Sequence, residues 1–323
     1  MTPGTLDASY VVPLRWGDAT EDDRAELAAY LRWLAERVEV FVVDGSPVTV
    51  FEANAGAWGS FVKHLPVDPD LDWLNGKVNG VVTGLRAATF EKVVLGDDDV
   101  RYDDRSLRRV IDLLDEADVV RPQNYFDPEP WHALWDTART LLNRALAADY
   151  PGTLAVRRSV LGDDAYDGDT LFENLELLRT AEVRGARIVS PLDLYVARRP
   201  PTTTHFLSQR IRQAYDDFAI PPRMTLWLSL VPLGIAAARR RDPRGPLIAA
   251  GAASALAEFG RRRAGGAAIF SPVSSLMAPL WVAERAVTSW LAVGQRFTGG
   301  CRYAGTLIPR AASSRRRLRR ALR

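Results

Sequence analysis

The stretch Lys92-Val93-Val94-Leu95-Gly96-Asp97-Asp98-Asp99 runs from an apolar segment straight into three acidic residues. Its apolar part predicts a short buried strand over residues 92–95. The carboxyl ends of parallel strands are where ligands bind, and carboxylate oxygens are what a divalent cation prefers there. By strand alternation, Asp97 and Asp99 would share one direction and Asp98 would point away. A solvated acidic turn is the alternative, and this stretch alone does not decide between the two interpretations.

Apolar runs alternate with amphipathic stretches on both sides of this segment, up to about residue 200. The alternation predicts a mostly parallel sheet covered by helices, which is an α/β fold. Thr20 and Asp23 have the form of a capping box, so a helix is expected over residues 21–37. Further strands are expected at residues 10–14, 38–43, 118–120, 152–156 and 187–189, a loop at 65–73, and further helices at 77–89, 106–116, 131–147 and 171–184.

Two other motifs precede the acidic cluster. Val42-Val43-Asp44-Gly45-Ser46 places Asp44 at the end of an earlier strand, where an Asp can hydrogen-bond a base or ribose, although Asp is also an ordinary turn residue. Asn75-Gly76-Lys77-Val78-Asn79-Gly80 supplies glycines and a lysine where a helix begins. That position suits a phosphate, and a turn without a binding function is again the alternative.

Charge divides the chain into two halves. Up to Arg198 there are 21 basic and 35 acidic residues, and from Arg199 onward there are 21 basic and 5 acidic, so the net charges are −14 and +16. An acidic half suits an ordinary soluble domain, whereas arginines interleaved with apolar stretches suit an anionic surface such as phospholipid. Nucleic acid is the less favoured partner, and we expect none. The N-terminus lacks the pattern of a signal peptide, so the first domain is expected in the cytosol.

Cysteine and histidine are too sparse to build a site. Cys301 is the single cysteine, which excludes an intramolecular disulfide, and the three histidines lack the spacing of zinc ligands. Any metal is therefore expected to have oxygen ligands. With 47% hydrophobic residues in 323, the chain can still bury a substantial core.

Uncharged segments occupy the basic half at residues 224–238, 245–257, 264–283 and 286–295. The first two are shorter than the roughly 20 residues of a membrane span, and the third carries two glycines and two prolines. A spanning hairpin would also leave four arginines on the far side of the membrane, against the positive-inside rule: Arg239, Arg240, Arg241 and Arg244. We therefore expect re-entrant or interfacial helices, and three parts: a catalytic domain at 1–200, a linker at 201–222 and a basic helical membrane-associated region at 223–323.

In this order and spacing, the motifs resemble those of family 2 glycosyltransferases, which have the GT-A fold of nucleotide-diphospho-sugar transferases. Residues 11–14 resemble the family's opening strand, 42–46 its nucleotide-contacting segment and 75–85 its Gly-Lys-Asn-Gly helix. Asp97-Asp98-Asp99 resembles the metal-binding Asp-x-Asp motif, residues 169–174 the acidic Glu-Asp segment, and Gln209-Arg210-Ile211-Arg212 the Gln-x-x-Arg-Trp motif. The resemblance covers about residues 10–218.

The resemblance implies an inverting, metal-dependent hexosyltransferase that uses a nucleotide-diphosphate sugar, expected to be a UDP-sugar. It implies Mg²⁺ or Mn²⁺ held by Asp97 and Asp99, with Arg212 and Arg210 assisting departure of the diphosphate. It implies Glu173 as the catalytic base, with Asp169 as the alternative. The residues that it places at the donor are Val11, Pro13, Asp44, Lys77, Asp97, Asp98, Gln209, Arg210 and Arg212.

The chain departs from the family pattern at two positions. Asn174 stands where the family has its second acid, which leaves the base open between Glu173 and Asp169, and Gln213 stands where the family has Trp. The layout looks closer to ceramide and hopanoid glucosyltransferases than to processive polysaccharide synthases. This implies a lipid or polyprenyl-linked acceptor at the cytosolic face of the cytoplasmic membrane. A cell-wall or polysaccharide glycosyltransferase and a catalytically silent membrane scaffold of the same fold are the alternatives, and the sugar and acceptor stay open.

Several tryptophans and a basic end have two interpretations each. Trp131 and Trp135 lie four residues apart on a predicted helix, as core or acceptor-groove residues, with core favoured. Trp227, Trp281 and Trp290 are expected to be interfacial anchors, with packing as the alternative. The arginines of residues 315–320 would form a solvated tail or face a membrane.

Overall fold

The computed structural model describes residues 5–17, 19–162 and 165–321. Its strands are β1 (Ser9–Leu14), β2 (Glu39–Asp44), β3 (Lys63–Pro66), β4 (Lys92–Gly96), β5 (Val100–Arg101), β6 (Val119–Val120), β7 (Gln123–Phe126), β8 (Thr153–Arg157), β9 (Ile188–Val189), β10 (Tyr195–Arg198), β11 (Cys301–Tyr303) and β12 (Thr306–Ile308). Its α-helices are α1 (Glu21–Ala35), α2 (Val48–Trp58), α3 (Gly76–Ala87), α4 (Asp104–Asp112), α5 (Trp131–Leu146), α6 (Arg158–Leu161), α7 (Glu173–Val183), α8 (Thr203–Ser208), α9 (Arg210–Tyr215), α10 (Pro221–Arg239), α11 (Arg244–Arg262), α12 (Pro272–Leu276), α13 (Ala278–Phe297) and α14 (Arg315–Ala321).

The main sheet has seven strands in the order β3-β2-β1-β4-β8-β6-β9. Strands β3, β2, β1 and β4 are parallel to their neighbours, β8 is antiparallel to both β4 and β6, and β6 is parallel to β9. The prediction of a mostly parallel sheet is confirmed. A second sheet has three strands in the order β5-β10-β7, which alternate in sequence with strands of the main sheet. It supplies a residue of the candidate site.

Alternation along the strands sends side chains into two cores. Tyr10 and Val12 lie in the core formed with α1, α2 and α4, whereas Val11 lies in the core formed with α3, α6 and α7. Because both faces of the central strands are covered, the middle of each strand is a continuous apolar run, as the sequence predicts. The result is a sheet between two layers of helices.

Helix α1 forms as its sequence predicts. Thr20 and Asp23 make the reciprocal hydrogen bonds of a capping box, and the buried face consists of leucines at helical spacing: Leu27, Leu31 and Leu34. The helix ends at Ala35, two residues before the expected end. Helix α2 and strand β3 were not predicted. β3 is a polar edge strand of four residues that overlaps the expected loop at 65–73, and α2 buries only Asn54 and Trp58.

The C-terminal helices pack on the rest of the protein through α5 and α9. Leu141 of α5 shares a core with Trp227, Phe270 and Trp281. α11 crosses α5 so closely that a Cβ on Gly260 would lie 1.9 Å from the Leu141 carbonyl oxygen, which only glycine permits. Within the described ranges, no helix reaches the length and hydropathy of a membrane-crossing segment.

The last described residues return to the sheet domain. The backbone amides of Leu171 and Phe172 donate to the carbonyls of Arg310 and Ala311 at 2.9 and 2.8 Å. Helix α14 packs on α7, where Arg315 lies 2.7 Å from Glu182. The C-terminal segment therefore supports the loop that leads into α7, and the basic end is a helix whose arginines are exposed to solvent.

Candidate functional site

Asp97, Asp98 and Asp99 follow β4 directly, at the carboxyl ends of the parallel strands. Arg198 Nε lies 2.7 Å from Asp99 Oδ2, and Arg198 Nη2 lies 3.5 Å from Asp97 Oδ2. Asp98 instead accepts a 2.6 Å hydrogen bond from Trp16 Nε1. Asp97 and Asp99 thus share one partner and Asp98 has another, as the sequence predicts, but Asp98 and Asp99 lie in a turn, so strand alternation is not the cause.

Burial and neighbouring charges shift the pKa values of this cluster. Burial raises the pKa of Asp99 to about 6; the Arg198 charge acts to lower it and the Asp97 charge to raise it. Burial also raises the pKa of Asp98, against the lowering effect of the Trp16 hydrogen bond. Asp99 Oδ1 is buried and has no hydrogen-bond partner in the part of the chain that the structure describes. Asp99 therefore has an oxygen that can accept a further ligand.

Lys77 joins the acidic cluster to Glu173. Its Nζ lies 2.6 Å from Asp97 Oδ1 and 2.7 Å from Glu173 Oε1. Lys77 lies in the first turn of α3, where the Asn75 side chain caps the helix by accepting from the Lys77 amide, and Glu173 is the first residue of α7. Burial lowers the pKa of Lys77, but the two carboxylates raise it above its usual value. Burial raises the pKa of Glu173 despite the opposing charge of Lys77.

Gly152 allows Asp97 and Arg198 to approach each other. A Cβ at this position would lie 2.8 Å from Asp97 Oδ2 and 3.1 Å from Arg198 Cζ. The Asp97 amide also donates to the Gly152 carbonyl at 3.0 Å. The Asp97 carboxylate thus lies against the main chain of Gly152, and any side chain at position 152 would displace it.

A small cavity lies where these groups meet, and its lining includes Pro13, Lys77, Asp97, Gly152, Tyr166 and Glu173. Pro13 therefore reaches the site. Val11 has no exposed surface and packs on α3 at Gly84, so it contributes packing and not a direct contact. The Tyr166 hydroxyl is buried without a hydrogen-bond partner among the described residues, and burial raises its pKa well above the usual value.

Asp44 ends β2, and its carboxylate is fully engaged within the protein. It accepts hydrogen bonds of 2.8 Å from the Ser46 amide and from Asn54 Nδ2, and His64 Nε2 lies 3.1 Å away. Burial acts to raise the pKa of Asp44, but these hydrogen bonds bring it below its usual value. Asp44 is 2% exposed and its carboxylate already has these three partners, so its contact with a base or ribose stays a prediction.

The two proposed bases have different surroundings. Asp169 lies in the loop before α7, where its Oδ1 accepts from the Leu74 amide at 3.1 Å. Asn174, which follows Glu173, donates to the Pro151 carbonyl at 3.0 Å. Glu173 is the one of the two acids that shares Lys77 with the acidic cluster.

The Gln-x-x-Arg segment divides between two environments. Gln209 Oε1 accepts a hydrogen bond from Arg212 Nε, and the Arg212 charge acts to lower the pKa of Glu173. Arg210 instead is buried, and its guanidinium lies 2.9 and 3.1 Å from two carboxylates, those of Asp136 and Glu284. Arg210 therefore ties α9 to α5 and α13, and its expected role at the diphosphate remains a prediction without a contact to support it.

Sequence reasoning missed Arg198, Trp16, Gly152 and Tyr166. Trp16 follows the expected first strand by two residues, so its place at the carboxyl edge of the sheet could have been inferred. Arg198 ends β10, which was not predicted, and it reaches the site because β10 pairs between β5 and β7. No local pattern carries that information.

The tryptophans separate into packing and surface residues. The Trp131 and Trp135 rings lie 6.0 and 6.5 Å from the ring of Phe206, and Trp131 is 49% exposed. Trp227 and Trp281 are buried against each other with centroids 5.6 Å apart, so the expectation that they anchor an interface is wrong for these two. Trp290 is 46% exposed and remains compatible with that expectation.

Comparisons with known proteins identify the fold. No protein-family model matches the sequence, and no curated protein matches it. Among solved structures, this chain is similar to the mannosyltransferase PcManGT from Pyrobaculum calidifontis, which was solved in complex with GDP-Man and Mn²⁺. The match covers 89% of this chain and 88% of the mannosyltransferase chain, with 20% sequence identity and a TM-score of 0.53. A match of that extent continues beyond residue 222, since the first 222 residues are only about 69% of the chain.

Two further structures match less of the chain, with TM-scores too low to support a conclusion. Mannosyl-3-phosphoglycerate synthase from Rubrobacter xylanophilus is 16% identical and covers 62% of this chain and 69% of its own, with a TM-score of 0.43. Glucosyl-3-phosphoglycerate synthase from Mycobacterium tuberculosis is 17% identical and covers 66% of this chain and 78% of its own, with a TM-score of 0.41. The match to the mannosyltransferase, together with the strand order of the main sheet, shows that the chain has a mixed α/β fold of the GT-A glycosyltransferase type.

Proposed function

We propose that this protein is an inverting, metal-dependent glycosyltransferase that moves a hexose from a nucleotide-diphosphate sugar to an acceptor hydroxyl. The observation that carries the proposal is the position of Lys77 between Asp97 and Glu173, beside Asp99 and Arg198. One cleft thus holds a lysine suited to a diphosphate, two carboxylates suited to a divalent cation and a buried base. The fold shared with a mannosyltransferase that was solved with GDP-Man and Mn²⁺ supports the same donor class and metal.

The residues at the site fit Mg²⁺ or Mn²⁺. Asp97 and Asp99 offer hard oxygen ligands, and Asp99 Oδ1 has no other partner among the described residues. Over residues 5–17, 19–162 and 165–321, no group of three or more His, Cys, Asp or Glu side chains is arranged to hold a metal. The chain would therefore contribute two carboxylates, and donor phosphate oxygens would complete the ligands, as is usual for Mg²⁺. When bound, such a cation neutralises charge on the departing diphosphate.

The protein's own side chains supply the remaining chemistry. Lys77, at the amino end of α3, would bind the donor diphosphate together with Arg212. Glu173 would accept the proton of the attacking hydroxyl at its carboxylate, and its raised pKa makes it a better base than a solvated carboxylate. Trp16 and Gly152 would act by position, because they hold Asp98 aside and leave room for Asp97.

We further propose a lipid or polyprenyl-linked acceptor and a location at the cytosolic face of the cytoplasmic membrane. The net charge of +16 after Arg198 and the exposed apolar side chains of α10 and α11 support a membrane partner. The resemblance to ceramide and hopanoid glucosyltransferases supports a lipid acceptor. The expected donor is a UDP-sugar, and GDP-mannose belongs in the same screen because the matched mannosyltransferase binds it.

Metal-dependent turnover of nucleotide sugars tests the proposal. Donors are first screened by thermal stabilisation with Mn²⁺, where a ligand at 100 times its Kd adds about 2.7 kcal/mol. With the donor found, Asp97→Ala or Asp99→Ala should abolish transfer and leave the fold intact, and Asp98→Ala should have a milder effect. Near-normal turnover in all three variants would refute the metal assignment.

The same assay separates the alternatives. Failure to hydrolyse or transfer any nucleotide sugar would indicate the silent scaffold. Sugar transfer to soluble glycans, without transfer to lipid acceptors, would indicate a cell-wall or polysaccharide glycosyltransferase.

A further inference from the structure

The outer halves of α10 and α11 form an exposed apolar hairpin, which we call the outer hairpin and define as residues 232–249. None of its side chains is buried. Its aliphatic side chains are among the most exposed in the protein, with exposed fractions of 62% for Leu233, 49% for Ile235, 67% for Leu247 and 71% for Ile248. An apolar helix normally lies against protein or lipid, so this exposure indicates an interaction surface.

The inner halves of the same two helices are packed along one face. Met224 and Trp227 of α10 are 5% and 9% exposed, and Ala257 of α11 has no exposed surface. Gly260 lies directly against the backbone of α5. These contacts hold the hairpin to the protein, so a hairpin that crossed a membrane would have to break them.

Four arginines surround the turn of the outer hairpin: Arg239, Arg240, Arg241 and Arg244. In the described part of the chain, none of the four has an ion-pair partner. Two hydrogen bonds close the turn: the Asp242 amide donates to the Ala237 carbonyl at 3.1 Å, and Asp242 Oδ1 accepts from the Arg244 amide at 3.0 Å. The cluster thus presents free positive charge beside the exposed leucines.

The apolar surface continues from the outer hairpin onto α13. Val287, Trp290 and Leu291 are 55%, 46% and 50% exposed. Trp290 Nε1 donates to the Leu228 carbonyl at 3.2 Å, which fixes the indole beside α10. An open groove of about 630 Å³ lies between Trp290 and the hairpin, and it is lined by Val231, Pro232, Ile235, Ala236, Arg239 and Arg240.

We propose that the outer hairpin binds an anionic phospholipid surface by inserting into one leaflet without crossing the membrane. The segment from residue 232 to the end of α10 is about 12 Å long, close to the 5–10 Å depth at which interfacial helices lie. Leucine and isoleucine side chains would enter the acyl boundary, and the arginines would reach lipid phosphates with their long stems along the apolar region. The proposal does not depend on the glycosyl transfer proposed above.

A second copy of the chain is the competing occupant, and charge argues against it. A twofold contact through this face would pair the same patch on both copies and bring two arginine clusters together. Asp242 is the single acid in the outer hairpin, so repulsion between the clusters would be largely uncompensated. Anionic lipid has the complementary charge, so each arginine near such a surface is attracted to it.

Vesicle flotation of the full-length protein tests the proposal. The vesicles are phosphatidylcholine alone, or phosphatidylcholine with phosphatidylglycerol. The variants are the double substitution Leu247→Ser with Ile248→Ser, and the triple substitution Arg239→Gln, Arg240→Gln and Arg241→Gln. The matched control is Val48→Ser on α2, because Val48 is 72% exposed and lies outside the hairpin.

Wild type and the Val48 control are expected to bind anionic vesicles equally. The double serine variant should bind at least about tenfold more weakly, because burying one large aliphatic side chain contributes about 1.5 kcal/mol or more. The triple glutamine variant should lose the preference for anionic over neutral vesicles. Anionic vesicles should also slow hydrogen exchange at residues 232–249 in wild type. All substituted side chains are exposed, so thermal unfolding should be unchanged and should show that each variant folds.

Two results would overturn the proposal. The first is equal flotation of wild type and the double serine variant, which would place the membrane contact on another surface. The second is a wild-type dimer in analytical ultracentrifugation that the double serine variant dissociates, together with no vesicle binding. That outcome would identify a second copy of the chain as the occupant.

Discussion

Replacement of Lys77 by methionine tests the charge arrangement at the centre of the site. Methionine keeps most of the apolar stem and removes the ammonium that lies between Asp97 and Glu173. Asp97 keeps Arg198 as a partner, but Glu173 loses its hydrogen-bonded cation. Removing one partner of a fully buried pair costs about 3–5 kcal/mol. The side chains are 21%, 20% and 10% exposed for Lys77, Asp97 and Glu173, so we expect a smaller loss of unfolding free energy, about 2 kcal/mol near neutral pH.

The loss should depend on pH through Glu173. Burial already raises the pKa of Glu173 in the folded protein, and loss of the Lys77 charge should raise it further. A carboxyl whose pKa is raised by folding destabilises the folded state once it ionises, so the penalty grows as pH rises through the folded pKa. The variant should therefore lose more stability relative to wild type at about pH 8 than at about pH 5. Adding Glu173→Gln should restore stability at about pH 8, because no uncompensated carboxylate remains.

Urea unfolding at the two pH values measures these differences. Lys63→Met is the matched control, because Lys63 is 56% exposed and solvent therefore weakens its ion pair with Glu39. Equal stability of Lys77→Met and wild type at about pH 8 would refute the reasoning, as would the absence of any gain from Glu173→Gln.

Three further outcomes follow from the site and its surroundings. Glu173→Gln should lower turnover by about 10²- to 10⁴-fold without weakening donor binding, whereas Asp169→Asn should change little; a rate loss at Asp169 alone would move the base there. Gly152→Ala should lower turnover and metal affinity at least about tenfold, because its Cβ would displace Asp97 Oδ2, while the free energy of unfolding changes by less than about 1 kcal/mol. The control is Gly56→Ala, where a Cβ meets nothing within 4 Å. An unchanged metal affinity in Gly152→Ala would contradict the geometry. Burial raises the pKa of Asp216 to about 7, with Arg212 acting to lower it and Asp217 to raise it, so its ionisation destabilises the fold progressively from about pH 4 to about pH 7. Asp216→Asn should therefore gain stability over wild type across that window in urea unfolding, and a difference that is independent of pH would show that Asp216 does not titrate there.

The strands that carry the acidic residues could be predicted from local pattern. β1, β2 and β4 are buried on both faces, so each reads as a continuous apolar run followed by a polar residue at the sheet edge. That pattern located Asp97 and Asp99, but the partner that they share results from a turn at Asp98 and Asp99 and not from strand alternation. β3 and β10 have short and partly polar sequences that depend on their neighbours for hydrogen bonds, and they were missed.

The uncharged C-terminal segments show the limit of this kind of prediction. Their composition indicates helices that avoid water, and they are helices. Composition does not say which part of a helix packs on protein, and the buried pair Trp227 and Trp281 was expected at a membrane interface. The contacts of α10, α11 and α13 with α5 and α9 decide that, and the faces of these helices turned away from the contacts remain exposed.

By itself, the sequence determined the α/β class, the acidic turn after β4 and the separation of charge between the two halves. The first two depend on patterns a few residues long, and the third depends only on composition. Tertiary structure alone decided that Lys77 meets Glu173, 96 residues away, and that Arg198 neutralises Asp97 and Asp99. It also decided that Arg210 is buried between helices, while the charge of Arg212 is close enough to Glu173 to act on the pKa of that carboxyl. These pairings depend on strand order and helix packing, which arise from contacts between distant segments, and no local pattern of residues encodes them.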